Sequence, residues 1–257
     1  MQAHERLTAA IHAANDAGRT AIMPFITAGY PEPDDFLSTL RAIAAAGDVV
    51  EIGIPFSDPM ADGMTIQRSS YVALQKGVRV DWIFEQLDKA GGEFEAPLVM
   101  MSYLNPLLAF GFDKLAERAL ASGVCGFIVP DLPYEESDEL RAALDAKGLG
   151  LVQLVTPATP DSRLKLLCDE SRGFVYAVTI TGITGGNTGL PDDLAGYLDK
   201  VSATSKLPVC AGFGIRERSD VAAVGAHAAG AIVGSALVEV LERFDDPVQF
   251  LQTLAAK

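Results

Sequence analysis

The strongest constraint on this chain is an alternation. Eight short apolar runs rich in strand-forming residues recur along it: AIMPFIT (21–27), VVEIGIP (49–55), PLVMMSY (97–103), GFIVP (126–130), LGLVQLV (149–155), FVYAVT (174–179), LPVCAG (207–212) and AGAIVG (229–234). Each is nearly continuous in apolar residues rather than alternating, the pattern of a parallel strand covered on both faces. Helix-patterned segments lie between them, including 33–47, 111–123, 134–148, 159–173, 191–205 and 216–230. Several open on Pro-Asp and several close on Gly, which are helix start and stop signals. Such alternation builds a doubly wound sheet or a closed barrel. The eight strands, the 257 residues and the lack of a linker favour the (β/α)8 TIM barrel, for which roughly 250 residues are typical. The expectation is a single α/β catalytic domain over 1–257, with an extra helix at 4–17 and a closing helix at 246–255.

Composition narrows the partners. Hydrophobic residues make up 49% of the chain and the net charge is −14. So acidic a surface repels phosphate backbones, which argues against nucleic acid and anionic membranes. No apolar stretch approaches the roughly 20 residues that span a bilayer. The N-terminus mixes charged and apolar residues and does not read as a signal peptide. Cys125, Cys168 and Cys210 are odd in number and widely spaced, as buried free thiols in a reducing compartment would be. The cytoplasm is the expected location.

In a barrel, chemistry sits at the C-terminal ends of strands and in the loops that follow. Glu51 lies inside the second apolar run, where an unpaired carboxylate is costly to bury. It is either a structural carboxylate with a local partner or a proton-transfer group with a raised pKa. Asp58 and Asp62 follow in FSDPMADG. Singly, each reads as a turn residue; together with Glu51, at least one gains a catalytic reading. The connection from Phe56 to Val80 and the stretch TGITGGNTGLP are long, and both are candidate lids.

Glycines cluster at the ends of the late strands: Gly182, Gly185 and Gly186 after the sixth, Gly212 and Gly214 after the seventh, Gly234 before Ser235 after the eighth. Free amides at a helix start, reached without Cβ obstruction, suit a phosphate group, and the loops after strands seven and eight are where this fold binds one. Phe25, Met101, Tyr103, Phe127, Tyr176 and Phe213 are candidates either for a flat pocket or for plain core packing. His4, His12 and His227 all fall in predicted helices, so a Ser-His-Asp apparatus and a His-ligated metal are disfavoured. No lysine lies inside a strand run, which disfavours a Schiff-base route. What remains is acid–base chemistry on a small phosphorylated molecule, with neither metal nor cofactor in this chain.

The segment VEIGIPFSDPMADG (50–63), with PFITAGYP before it and DLPYEE, GITG, GFGI and VGSA after it, resembles the signature of the tryptophan synthase α-subunit family over essentially the whole chain. The resemblance implies retro-aldol cleavage of indole-3-glycerol phosphate to indole and glyceraldehyde 3-phosphate, within tryptophan biosynthesis. It places the acid–base glutamate on Glu51, the aspartate for the indole N–H on Asp62 and the strand-six tyrosine on Tyr176. Indole-flanking positions fall on Phe25, Met101 and Phe213, with Tyr103 beside them. Phosphate-binding positions fall on Gly185, Gly214, Gly234 and Ser235. Asp58 and Thr184 fall in the two loops that respond to a partner. That partner is a β subunit carrying pyridoxal phosphate, in an αββα complex. After strand six this chain reads GITGGNTGLPDD, richer in glycine than the family pattern. A stand-alone lyase on the same fold and a catalytically weak allosteric partner of a β subunit are the competing readings.

Overall fold

In a computed structural model the eight runs form one closed parallel barrel in the order β1 to β8. The structure describes residues 1–179, 193–212 and 214–255. The strands are β1 Ala21–Thr27, β2 Val50–Gly53, β3 Leu98–Met101, β4 Val124–Ile128, β5 Gly150–Val155, β6 Val175–Val178, β7 Val209–Gly212 and β8 Gly230–Val233. The helices are α1 Ala3–Asp16, α2 Phe36–Ala46, α3 Met64–Gln75, α4 Val80–Lys89, α5 Leu104–Phe110 and α6 Phe112–Ala121. They continue as α7 Asp138–Asp145, α8 Asp161–Glu170, α9 Leu194–Thr204, α10 Arg218–Gly225, α11 Ser235–Glu242 and α12 Pro247–Ala255. None of the described helices is long and apolar enough to cross a membrane.

The strands read as continuous apolar runs because each is covered twice. Successive side chains point to opposite faces. Ile22, Ile26, Val50, Ile52, Met100 and Phe127 therefore belong to the outer layer against the helices. Met23, Val49, Val99, Val152, Tyr176 and Cys210 belong to the inner cluster. Phe127 thus faces away from the barrel interior and packs in the outer layer. All three cysteines are buried and free.

Helix α1 is the floor of this barrel. Its Leu7, Ile11 and Ala14 are fully buried and share one cluster with Ala21, Met23, Val49 and Phe174. Burying such aliphatic side chains stabilises by roughly 1.5–3 kcal/mol each. Hydrogen bonds pin the helix across three strand starts: the His4 amide to Gly148 O at 3.1 Å, Thr8 Oγ1 to Gly173 O at 2.6 Å, and Asn15 Nδ2 to Ala229 O at 2.8 Å. A plugged floor leaves the opposite mouth for chemistry.

Two sequence expectations shift. The fourth strand starts two residues earlier than the run from 126, at Val124. About half of the connection from Phe56 to Val80 is helix, since α3 runs from Met64 to Gln75. The buried face of α3 is Thr65, Ile66, Ser69, Ser70 and Ala73, too polar to print a hydrophobic period. The loop itself is only 54–63.

Candidate active site

Glu51 is carried into the barrel by the pleat of β2: Val50 and Ile52 pack outward, so Glu51 points inward, level with Phe25 on β1 and Val99 on β3. It is 1% exposed, and neither carboxyl oxygen has a hydrogen-bond partner among the described residues. Burial alone raises its pKa to about 8, since a dry site disfavours the charged form. The structural alternative required a local partner, and the described residues supply none.

Asp62 approaches the same mouth from the loop 54–63. It is half-buried, and burial raises its pKa to about 6, against the pull of a hydrogen bond from the Tyr103 hydroxyl. Tyr103, just past β3, grips this loop from two sides. Its hydroxyl accepts the Ala61 amide at 2.9 Å and donates to Asp62. Its ring stacks on Phe56 with centroids 5.2 Å apart. Gln67 Nε2 donates to the Asp62 carbonyl at 2.9 Å, fixing the loop to the first turn of α3. Asp58 does not join this group. It is exposed at the loop tip, where it accepts the Ser57 hydroxyl at 2.6 Å.

Tyr176 on β6 is 3% exposed. Burial first, then the charges of Glu51, Asp62 and Cys210, push its pKa well above the phenol range. The three groups are therefore near enough to sense one another, with Tyr176 held as a neutral phenol. Two strand glycines make room for the site's rings. A Cβ on Gly212 would lie 2.3 Å from the Tyr176 hydroxyl, and one on Gly53 would lie 2.4 Å from Phe25 Cζ. Gly212 is thus a space-making residue of β7, a different job from the phosphate-facing amide its sequence context suggested. Phe25 clusters with Tyr30, Ile66 and Val238, and half-buried Met101 packs against this group.

At the far side of the mouth, Gly214 has φ 88, a backbone that favours glycine. Gly234 precedes the first turn of α11, which begins at Ser235, and both are partly exposed. Thr184, Gly185 and Phe213 lie outside the described residues, as do Gly182 and Gly186. Among the described residues no group of His, Cys, Asp and Glu is arranged to hold a metal ion.

Sequence reasoning placed Tyr103 beside the pocket but missed its grip on Ala61 and Asp62. The available signal was a phenol at a strand end, which needs a polar partner when buried.

Comparison with known proteins places the chain in a family and matches its fold. The family model described as tryptophan synthase alpha chain matches residues 11–257. A tryptophan synthase alpha chain of Roseiflexus sp. (strain RS-1) is 46% identical over 231 residues, 88% of each chain. One from Bacillus cereus (strain AH820) is 43% identical over 250 residues, 96% of this chain and 97% of that one. Among solved structures, Mycobacterium tuberculosis tryptophan synthase superposes with a TM-score of 0.88 at 34% identity, covering 98% of this chain and 97% of the other. The alpha subunit from Legionella pneumophila str. Paris gives 0.86 at 31% identity, covering 99% and 97%.

Proposed function

The chain belongs to the tryptophan synthase alpha chain family, whose subunit cleaves indole-3-glycerol phosphate in tryptophan biosynthesis, and on that premise we propose that Glu51 and Asp62 divide the acid–base work of this cleavage, with Tyr176 beside them. The observation that carries the assignment is the split between the two carboxyls. Glu51, unpartnered among the described residues, is held near 8, and Asp62, bonded to Tyr103, near 6. At neutral pH the first is mostly an acid and the second mostly an anion, the arrangement by which one site runs both halves of a proton cycle.

Protonated Glu51 delivers its proton to indole C3. The ring becomes an indoleninium whose positive charge extends to N1, where ionised Asp62 accepts the N1–H. The Glu51 carboxylate then removes the proton from the C3′ hydroxyl. The C3–C3′ bond breaks, its electron pair restores the indole ring, and the hydroxyl carbon leaves as the aldehyde of glyceraldehyde 3-phosphate. Glu51 ends protonated as it began. Tyr176, a neutral phenol, is a donor for the glycerol chain or for the Glu51 carboxylate formed midway. Phe25 and Met101 flank the indole. The amides around Gly214, Gly234 and Ser235 take the phosphate, whose binding energy positions the bond to be broken. Gly185 and Phe213, by family resemblance, complete these two ends.

The partner follows the same reading: a β subunit, which holds the pyridoxal phosphate, in an αββα complex. Two large apolar side chains support it. Met60 on the loop 54–63 is 76% exposed and Leu108 on α5 is 55% exposed. Both follow strand C-termini and so lie on the catalytic side, where exposed apolar residues suit a protein partner.

The test is indole release from indole-3-glycerol phosphate by the native chain and by Glu51→Gln, with and without a β subunit. Cleavage abolished in a folded Glu51→Gln protein is expected, and near-native turnover would sink the assignment. A large rise in the native rate on adding the β subunit is expected; equal rates would favour the stand-alone lyase.

A further inference from the structure

The phosphate end and the Asp62 loop are far apart in sequence, yet one side chain joins them. Glu239 lies on α11, one helical turn beyond Ser235. Its Oε1 accepts the hydroxyl of Thr65 at 3.3 Å. Its Oε2 pairs with the guanidinium of Arg216. Thr65 is 7% exposed and opens α3, three residues beyond Asp62, in the turn where Gln67 binds the Asp62 carbonyl. Arg216 lies two residues beyond Gly214, and its own amide donates to Asp220 at 2.8 Å. A second rung lies one turn lower, where Arg68 of α3 meets Glu242 of α11 at 2.5 Å. The first rung is the one that also reaches the loop after β7.

Surface ion pairs between single partners contribute little. Glu239 is different in geometry: its side chain is 26% exposed, and its two oxygens hold separate elements, the start of α3 through Thr65 and the loop after β7 through Arg216. We propose that Glu239 is a positioning residue that couples the phosphate site to the Asp62 loop, so that seating a phosphate group against α11 and the β7 loop also fixes the Asp62 carboxylate over the indole position. It touches no reacting atom. It acts through Thr65 and α3 on one side and through Arg216 on the other. The inference rests on the phosphate reading above.

Hydrogen exchange on the full chain, with and without saturating glycerol 3-phosphate as the probe, tests it without any turnover. In the native protein the probe is expected to protect amides at 234–238 and also at 58–65. In Glu239→Gln, which keeps the shape and loses the charge, protection at 234–238 should stay and protection at 58–65 should fall at least fivefold. Thr65→Val, which cuts only the α3 link, should give the same split. In cleavage assays both variants should lose three- to tenfold in kcat with KM within twofold, a division that general loss of stability does not produce. Protection at 58–65 that persists in both variants, or that is missing in the native chain while 234–238 is protected, overturns the coupling. No protection at 234–238 in the native chain would overturn the phosphate reading, and the coupling with it.

Discussion

Replacing Glu51 by glutamine should make this protein more stable while abolishing its chemistry, and the gain should depend on pH in a defined way. The folded-state pKa of Glu51 is about 8 against 4.5 for a free glutamate. The folded protein therefore holds a proton that the unfolded chain releases. Stability from this group is complete below pH 4.5 and is lost as pH rises through 8. From the linkage relation, the native protein forfeits about 3 kcal/mol at pH 7 and about 5 kcal/mol above pH 9. Glutamine has a similar shape and no charge, so it escapes that loss. Urea unfolding of the two proteins at intervals from pH 4 to pH 9.5 should give curves that coincide near pH 4 and diverge by about 1.4 kcal/mol per pH unit between 4.5 and 8. At pH 7 the melting temperature should rise by roughly 6–12 °C for a chain of this size. A difference that does not vary with pH would refute the reasoning. So would a loss of stability in the variant that deepens as pH rises, because that is the signature of an ionised glutamate with a partner.

Other consequences are separately measurable. Tyr103→Phe removes a hydrogen bond to an ionised carboxylate, worth roughly 1.5–3 kcal/mol, so the Asp62 pKa should climb further from about 6. Because the proposed cleavage needs Asp62 ionised, activity should fall as pH drops through that value; the acidic limb of the kcat/KM profile should move up by about one to two pH units, and an unmoved limb counts against the grip. Asp62→Asn should lower turnover severely yet leave a trace, while Asp58→Asn in the isolated chain should stay near native, since among the described residues the Asp58 carboxylate accepts only from its neighbour Ser57; equal damage from both would contradict the placement of the loop tip. Gly212→Ala forces a methyl to within 2.3 Å of the Tyr176 hydroxyl and should reduce kcat/KM at least tenfold, with stability down by about 1–3 kcal/mol; a native rate would show that Tyr176 has slack. Glycerol 3-phosphate at a hundred times its Kd should stabilise the fold by about 2.7 kcal/mol, and an unchanged melting temperature would remove the phosphate end from the mechanism.

The barrel was legible because burial on both faces leaves a plain mark: β1 is buried at every position, so its run is apolar from Ala21 to Ile26 and only the closing Thr27 is polar. Glu51 was legible for the converse reason, as one charge in such a run. Helix α3 was hidden because Thr65, Ser69 and Ser70 make up much of its buried face; Ser69 meets Thr27 of β1 at 2.6 Å, so polar pairing replaces apolar contact there. Gly212 was misread because a glycine that avoids a ring and a glycine that bares an amide are the same letter, and only the Tyr176 hydroxyl above it separates them. Thr65 and Glu239 stand 174 residues apart, beyond any local pattern. The Tyr103 grip was half visible: its site was found, its hydrogen bonds were not.

The floor made by α1 has one more consequence. With Leu7, Ile11 and Ala14 sealing the lower end, the described residues leave Glu51 facing the mouth, where the proposed substrate sits. Under the proposed mechanism, bound substrate then keeps outside protons from it during a turnover. In the proposed cycle, the proton it gives to indole C3 is the one it already holds when substrate binds, and the one it holds afterwards comes from the C3′ hydroxyl. The substrate recharges the acid it has just discharged. In heavy water the free enzyme and the substrate hydroxyl both exchange before they meet, so indole leaves with solvent deuterium at C3. A Glu51 sealed in this way needs no separate reprotonation step between cycles.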